Sequence, residues 1–165
     1  MVEIISHTAE SIRELLSMIK DPEVPAISIV ELGIVRDLQV TGKEVTVIIT
    51  PTYSGCPAMK MIEDDIRSIL MEHGLSKVTI RTILSPAWTT DWISESAKEK
   101  LKNYGIAPPQ SAAQSPLLQI EIPTVVCPHC NSTNTQLKSQ FGSTACKSYY
   151  FCDSCDQPFE YFKPF

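Results

Sequence analysis

Cys127-Pro128-His129-Cys130 and Cys152-Asp153-Ser154-Cys155 frame a hairpin-sized stretch of polar and aromatic residues, and their spacing decides how the second part of the chain folds. Each Cys-x-x-Cys turn aims two thiolates at one point, and four thiolates in a tetrahedron suit Zn²⁺, or iron in a rubredoxin-like or cluster site. Two disulfides or reduced core cysteines are the competing reading, but paired x-x spacing marks a metal-bound ribbon, not a disulfide framework. A closed four-ligand site is structural, since activating water needs an open position. Cys127, Cys130, Cys152 and Cys155 are therefore the expected ligands of a structural zinc, with iron as the alternative.

Outward from the knuckles, residues 120–165 form a segment too short to bury its own core without a metal staple. Phe159, Tyr161, Phe162 and Phe165 follow the second knuckle. These rings are read as cover for the small ribbon core, with a docking surface as the other reading. Cys146, in Phe141-Gly142-Ser143-Thr144-Ala145-Cys146-Lys147, lies between the knuckles; it is either an exchange ligand or a residue of the ribbon hairpin. Residues 107–119, with Pro108-Pro109, Gln110, Ser111, Gln114 and Pro116, are apolar-poor and read as a linker.

Residues 1–106 read as one compact domain of order helix, strand, strand, helix, strand, helix. Ile12, Leu15, Leu16 and Ile19 recur at helical spacing, with Ser11 and Glu14 as an expected capping box, so a helix is predicted over about 8–20, ending at Asp21-Pro22. Segments 34–40 and 43–50 alternate as two strands joined at Thr41-Gly42 and should pair as a hairpin. Pro57 opens a second helix with Met59, Ile62, Ile66, Ile69 and Leu70 on one face, closed by Gly74. A strand at 77–83 and a helix from Thr90 to Gly105 complete the unit. The fold class is thus α/β (α+β), a mixed three-stranded sheet with helices, followed by a small β zinc-ribbon-like domain.

With 165 residues, 43% hydrophobic, and a formal charge of −5, the chain has no basic footprint for a nucleic-acid backbone. Nothing in it approaches the roughly 20 apolar residues of a membrane span, and the start lacks a basic stretch followed by an apolar run. The expected setting is cytoplasmic, where six cysteines serve metal binding or reactivity.

Cys56 lies in Thr50-Pro51-Thr52-Tyr53-Ser54-Gly55-Cys56-Pro57, a loop that leaves a strand and enters a helix. The helix N-terminus is expected to lower its thiol pKa, giving a thiolate that is nucleophile and metal ligand; otherwise it is a small buried hydrophobe. Asp21-Pro22-Glu23-Val24-Pro25 puts two carboxylates in a proline-fixed turn, read either as an acid/base pair or as helix-stop chemistry. His73 reads as a helix C-terminal cation, and His129 as a knuckle residue, with replacement of a cysteine ligand as its other reading. No Ser-His-Asp spacing, phosphate loop or His-Glu-x-x-His motif occurs, and no catalytic residue is assigned.

Asp21-Pro22-Glu23-Val24-Pro25, Ser28-Ile29-Val30-Glu31-Leu32-Gly33-Ile34-Val35, Thr50-Pro51 leading to Gly55-Cys56-Pro57, and Pro86-Ala87-Trp88 together resemble the MIP-type iron-sulfur assembly domain over about residues 8–106. The resemblance implies delivery or insertion of iron-sulfur clusters, with Cys56 the key cysteine and Asp21 and Glu23 beside it, handling iron or a cluster transiently. With the ribbon, the 141–147 motif and Pro158-Phe159-Glu160-Tyr161-Phe162-Lys163, the whole arrangement is similar to the D subunits of bacterial phenylacetyl-CoA epoxidase systems. That similarity implies a non-catalytic maturation role in phenylacetate catabolism, with the oxygenase or reductase component and iron-sulfur assembly proteins as partners. A structural subunit with inert cysteine sites is the alternative. Tyr53-Ser54 departs from the more compact loop of general assembly members.

Overall fold

The computed structural model describes residues 7–110 and 124–164. It divides into two compact units, Met1–Trp88 and Thr89–Phe165. Among the described residues no helix is long and apolar enough to cross a membrane.

Helix α1 (Ala9–Leu16) starts at Thr8, whose hydroxyl accepts from the Ser11 amide at 3.1 Å while Ser11 Oγ accepts from the Thr8 amide at 3.0 Å. The capping box therefore sits one turn earlier than the expected Ser11–Glu14 pair: Thr8 is the residue with extended backbone, and only such a residue can turn its hydroxyl onto the first-turn amides. The helix also ends before residue 20. Met18 and Ile19 donate to carbonyls three residues back, and Lys20 bridges antiparallel to Ser28, so the chain has already turned before Pro22 is reached.

Strands β1 (Val35–Thr41) and β2 (Glu44–Ile49) form the expected hairpin around Gly42, whose φ of +60° suits the tight turn. Helix α2 (Ala58–Glu72) crosses over to β3 (Lys77–Thr82), which pairs parallel to β2, giving a mixed sheet of order β1-β2-β3. Val45, Val47 and Ile49 alternate inward along β2, and Ile62, Ile66 and Leu70 form the inward stripe of α2; all six are buried. Burying such side chains contributes roughly 1.5–3 kcal/mol each. Trp88 closes this unit: its indole donates to the Leu32 carbonyl at 3.0 Å, tying the Pro86-Ala87-Trp88 block to the Ser28–Val35 block.

The second unit contains helix α3 (Glu95–Asn103), capped by Ser94 on the Ala97 amide, and a four-stranded sheet of order β4-β7-β6-β5. Its strands are β4 (Ile106–Ala107), β5 (Thr135–Ser139), β6 (Lys147–Cys152) and β7 (Gln157–Phe162). The helix read as the last of the first domain thus belongs by contact to the second unit. Its exit strand is the reason: β4 pairs parallel to β7, and Ala107 joins a core of Val125, Cys127, Tyr150, Cys152, Phe159 and Tyr161. Tyr150 stacks on Phe159 and meets Tyr161 edge-on, both at 5.8 Å between centroids. Phe159, Tyr161 and Phe162 are buried, so those rings cover the ribbon core; Phe165 and most of the expected linker, 111–123, lie outside the described residues.

Candidate functional site

The Thr50–Pro57 loop leaves β2 with the Thr50 amide bonded to the Ile34 carbonyl and enters α2 with Pro57 at its cap. Pro57 supplies no side-chain acceptor, and the Cys56 sulfur takes that place by accepting from the Ala58 amide. The sulfur thus stands at the helix N-terminus, half-buried. Its thiol is nevertheless pushed up, not down: burial disfavours the thiolate most, Glu23 and Asp21 add negative charge, and the Ala58 amide and Tyr53 hydroxyl only partly offset them. The expectation of a depressed pKa, based on the helix end alone, fails because burial of the sulfur, with the charges of Glu23 and Asp21 added, outweighs the helix end.

The two carboxylates of that turn do different work. Asp21 is buried, and its Oδ1 accepts from the amides of Glu23 at 2.9 Å and Val24 at 2.8 Å, closing the Asp-Pro-Glu turn. Glu23 is half-buried and accepts from the Tyr53 hydroxyl at 3.3 Å. Tyr53 also lies in the electrostatic field of Cys56, whose amide donates to the Tyr53 carbonyl at 3.3 Å, so carboxylate, phenol and thiol stand together across a sequence gap of thirty residues. Burial, then Cys56 and Glu23, raise its own pKa well above the ordinary phenol value. In the sequence Tyr53 stands out only as a departure from a family pattern; loop-to-loop contacts carry no periodicity that could show its role.

In the ribbon, the sulfurs of Cys127, Cys130, Cys152 and Cys155 all lie within 4.8 Å of one another. Cys127 and Cys155 are 3.8 Å apart and Cys130 and Cys152 3.5 Å. A tetrahedral ion with metal–sulfur bonds of about 2.3 Å holds its sulfurs about 3.8 Å apart, so this donor set fits such an ion. Each knuckle is followed by a left-handed residue, Asn131 at φ +61° and Asp156 at φ +55°, which turns the chain back toward the strands. The amides of Ser132 and Gln157 donate to Cys130 and Cys155, and those of Ser154 and Cys155 to Cys152. Burial opposes ionisation of Cys152, yet those amides and the neighbouring thiols bring it down to about 7, whereas burial and its neighbours push Cys155 up to about 12. Metal binding must therefore release protons from this cluster.

Cys146 falls outside the cluster. It precedes β6 while Cys152 ends it, a separation of about 20 Å at roughly 3.3 Å per strand residue, so it cannot exchange with the knuckle ligands. It is buried beside the Thr144 hydroxyl at 3.1 Å. His129 is exposed and near Gly105, and His73 bonds the Ile69 carbonyl at 2.7 Å at the end of α2. The 140–146 loop carries a feature that the sequence does not single out. Phe141 is 66% exposed, with the Lys163 ammonium 4.6 Å from its ring centroid. Behind it, Glu160 accepts from the Ser143 amide and pairs with the buried Lys147 at 2.9 Å.

A family model described as an iron-sulfur cluster assembly protein matches residues 9–80, and one described as the PaaD zinc beta ribbon domain matches residues 111–163. The chain is 47% identical over 149 residues to the putative D subunit of the 1,2-phenylacetyl-CoA epoxidase of Escherichia coli (strain K12), covering 90% of this chain and 88% of that one. It is 33% identical over 97 residues to an Fe-S protein maturation auxiliary factor of Porphyromonas gingivalis, covering 58% of this chain and 91% of that one. Among solved structures, a DUF59 domain of unknown function from Bacillus anthracis matches with a TM-score of 0.54 at 25% identity, covering 56% of this chain and 90% of that one.

Proposed function

Because the chain belongs to the family of 1,2-phenylacetyl-CoA epoxidase D subunits, in which an iron-sulfur assembly domain is joined to a zinc ribbon, we propose that it is an accessory maturation factor of that oxygenase system. In this reading Cys56 transiently holds iron or a cluster as cargo, Glu23 stands beside it, and the ribbon docks the client, the oxygenase or the reductase component. Iron-sulfur assembly proteins are the proposed source of the cargo. The observation that carries the proposal is the Cys56 sulfur at the start of α2 with the Glu23 carboxylate in its field, in the half of the chain matched by the assembly model. Asp21 supports this site by holding the turn, its Oδ1 taken by two backbone amides.

Zinc is the metal proposed for Cys127, Cys130, Cys152 and Cys155, where it would cross-link the two knuckles and leave no open position for chemistry. The exposed Phe141 supports docking by the same unit, since a solvent-facing ring on an anchored loop is the kind of residue that fills a partner's pocket. A second reading is favoured by the raised Cys56 thiol, which is mostly protonated near neutrality: a structural component that makes the oxygenase assembly soluble or correctly oligomeric.

The discriminating experiment purifies the epoxidase components from cells lacking this protein and complemented with the wild-type chain or with Cys56→Ala. Iron-poor, inactive components in the presence of normal levels of Cys56→Ala are the expected result. Fully loaded, active components would transfer the assignment to the structural reading.

A further inference from the structure

The loop that presents Cys56 also presents Tyr53, and the 21–25 turn adds Glu23. Tyr53 Oη lies 3.3 Å from Glu23 Oε1, and the Cys56 amide donates to the Tyr53 carbonyl at 3.3 Å, which holds the thiol in the same turn of the loop and in the field of both side chains. One thiol sulfur, one carboxylate oxygen and one phenol oxygen therefore converge, contributed by the 50–57 loop and the 21–25 turn. All three side chains are half-buried, which leaves the group open to an incoming ion. Asp21 is left out of the set, because its Oδ1 accepts from two amides of its own turn. At the head of the same loop Thr50 is 1% exposed, yet its hydroxyl has no hydrogen-bond partner. Buried hydroxyls ordinarily have one, and a bound group is a common reason for such an exception.

The chemistry of this donor set is selective. Iron-sulfur clusters are held by sets of thiolates, commonly four. Here a single sulfur stands with two oxygens, and the other five cysteines belong to the second unit. Carboxylate and phenolate are harder donors than thiolate, and tyrosinate is an established protein ligand of ferric iron. We propose that Tyr53, Glu23 and Cys56 form a binding site for a single iron ion, with Tyr53 as a phenolate ligand, so that the cargo of this loop is mononuclear iron and not an assembled cluster. This rests on the metal-handling reading of Cys56 and deepens it. On binding, one proton leaves Tyr53 Oη and one leaves Cys56 Sγ for solvent, and the lost Tyr53–Glu23 hydrogen bond frees a carboxylate oxygen. Water completes the coordination, and no electron is transferred when the ion added is already ferric.

The test titrates the full chain, its ribbon loaded with zinc, with ferric nitrilotriacetate. The expected result is about one iron per chain with a visible phenolate-to-iron charge-transfer band and tyrosinate modes in resonance Raman. Tyr53→Phe, which keeps the ring, should lose both signals and bind iron at least about tenfold more weakly. A spectrum unchanged in Tyr53→Phe, no binding by the wild-type chain, or a chromophore that forms only when sulfide is supplied would each overturn the site. Client iron content separates this inference from the reading beneath it. If Cys56→Ala starves the client while Tyr53→Phe matches wild type in spectrum and affinity, maturation stands and the mononuclear site falls. If the Tyr53-dependent band is present and Cys56→Ala still loads the client normally, the site stands and maturation through that thiol falls.

Discussion

Asp21 and Glu23 stand two residues apart and have opposite uses. Asp21 satisfies two backbone amides inside a buried turn, so Asp21→Ala should destabilise the first unit by about 1–3 kcal/mol, the cost of leaving buried donors unpaired. Asp21→Asn keeps an acceptor oxygen in place and should cost less; chemical denaturation of both variants, followed through α1 and α2, checks the order. Glu23→Gln should leave stability nearly unchanged and act on Cys56. Removing a negative charge beside a thiol favours its thiolate, so the raised Cys56 pKa should fall and alkylation of Cys56 at pH 8, read by peptide mass, should speed up. An unchanged rate would mean that Glu23 does not face the sulfur in solution. The sequence shows both carboxylates and the cysteine, because each sits in a short local motif, but it cannot divide their roles. That division depends on which amides the backbone turns toward Asp21 and on Tyr53 reaching Glu23, and neither is encoded in local spacing.

The helices and strands of the first unit are legible in the sequence because their apolar periods are long and unbroken: Ile62, Ile66 and Leu70 on α2, and Val45, Val47 and Ile49 on β2. Short elements escape. Strand β4 is two residues long and gains its place only by pairing with β7, so nothing in Ile106-Ala107 itself announces that α3 goes with the ribbon unit. The 140–146 loop escapes for a related reason, since its order comes from Lys147 and from Glu160, which is distant in the chain. Lys147 and Glu160 are 4% and 22% exposed, and breaking a buried pair by removing one partner costs about 3–5 kcal/mol, with the partial exposure of Glu160 placing this one toward or below the low end. Glu160→Ala should therefore strip hydrogen-exchange protection from the Gly142 and Ser143 amides, which bond Lys147 O and Glu160. The pH dependence has a definite sign. Burial raises the Glu160 pKa, but the Ser143 amide and Lys147 outweigh it and hold it below the ordinary 4.5. Its contribution is complete above pH 4.5 and is lost as pH falls through the lower folded value. Protection of Gly142 that persisted at acid pH, below that value, would assign the loop's order to the Lys163–Phe141 contact instead.

At the scale of the molecule the two units draw stability from different sources. The first has a continuous apolar core between sheet and helices, in which Ile12, Leu16, Ile62, Ile66 and Leu70 are fully buried. The second has a small aromatic core whose members include two of the metal-site cysteines, Cys127 and Cys152, so losing the metal takes away part of the core and the cross-link between the knuckles together. Four thiols packed within 4.8 Å suit an ion that holds them together, and without one they repel once ionised. Chelation of the full chain at neutral pH should accordingly remove exchange protection from β5, β6 and β7 while β1, β2 and β3 keep theirs, and restoring zinc should recover it. Lowering the pH should do the same without a chelator, because Cys155, pushed up to about 12, must release its proton to solvent when it binds the metal, and that exchange becomes less favourable as protons accumulate. Equal loss of protection in both sheets would show that the first unit depends on the ribbon for its fold. Loss confined to the ribbon would mean that the thiol-bearing loop of Cys56 can be tested for iron with the ribbon metal removed as well as present, so that a result at the proposed iron site is read apart from the ribbon.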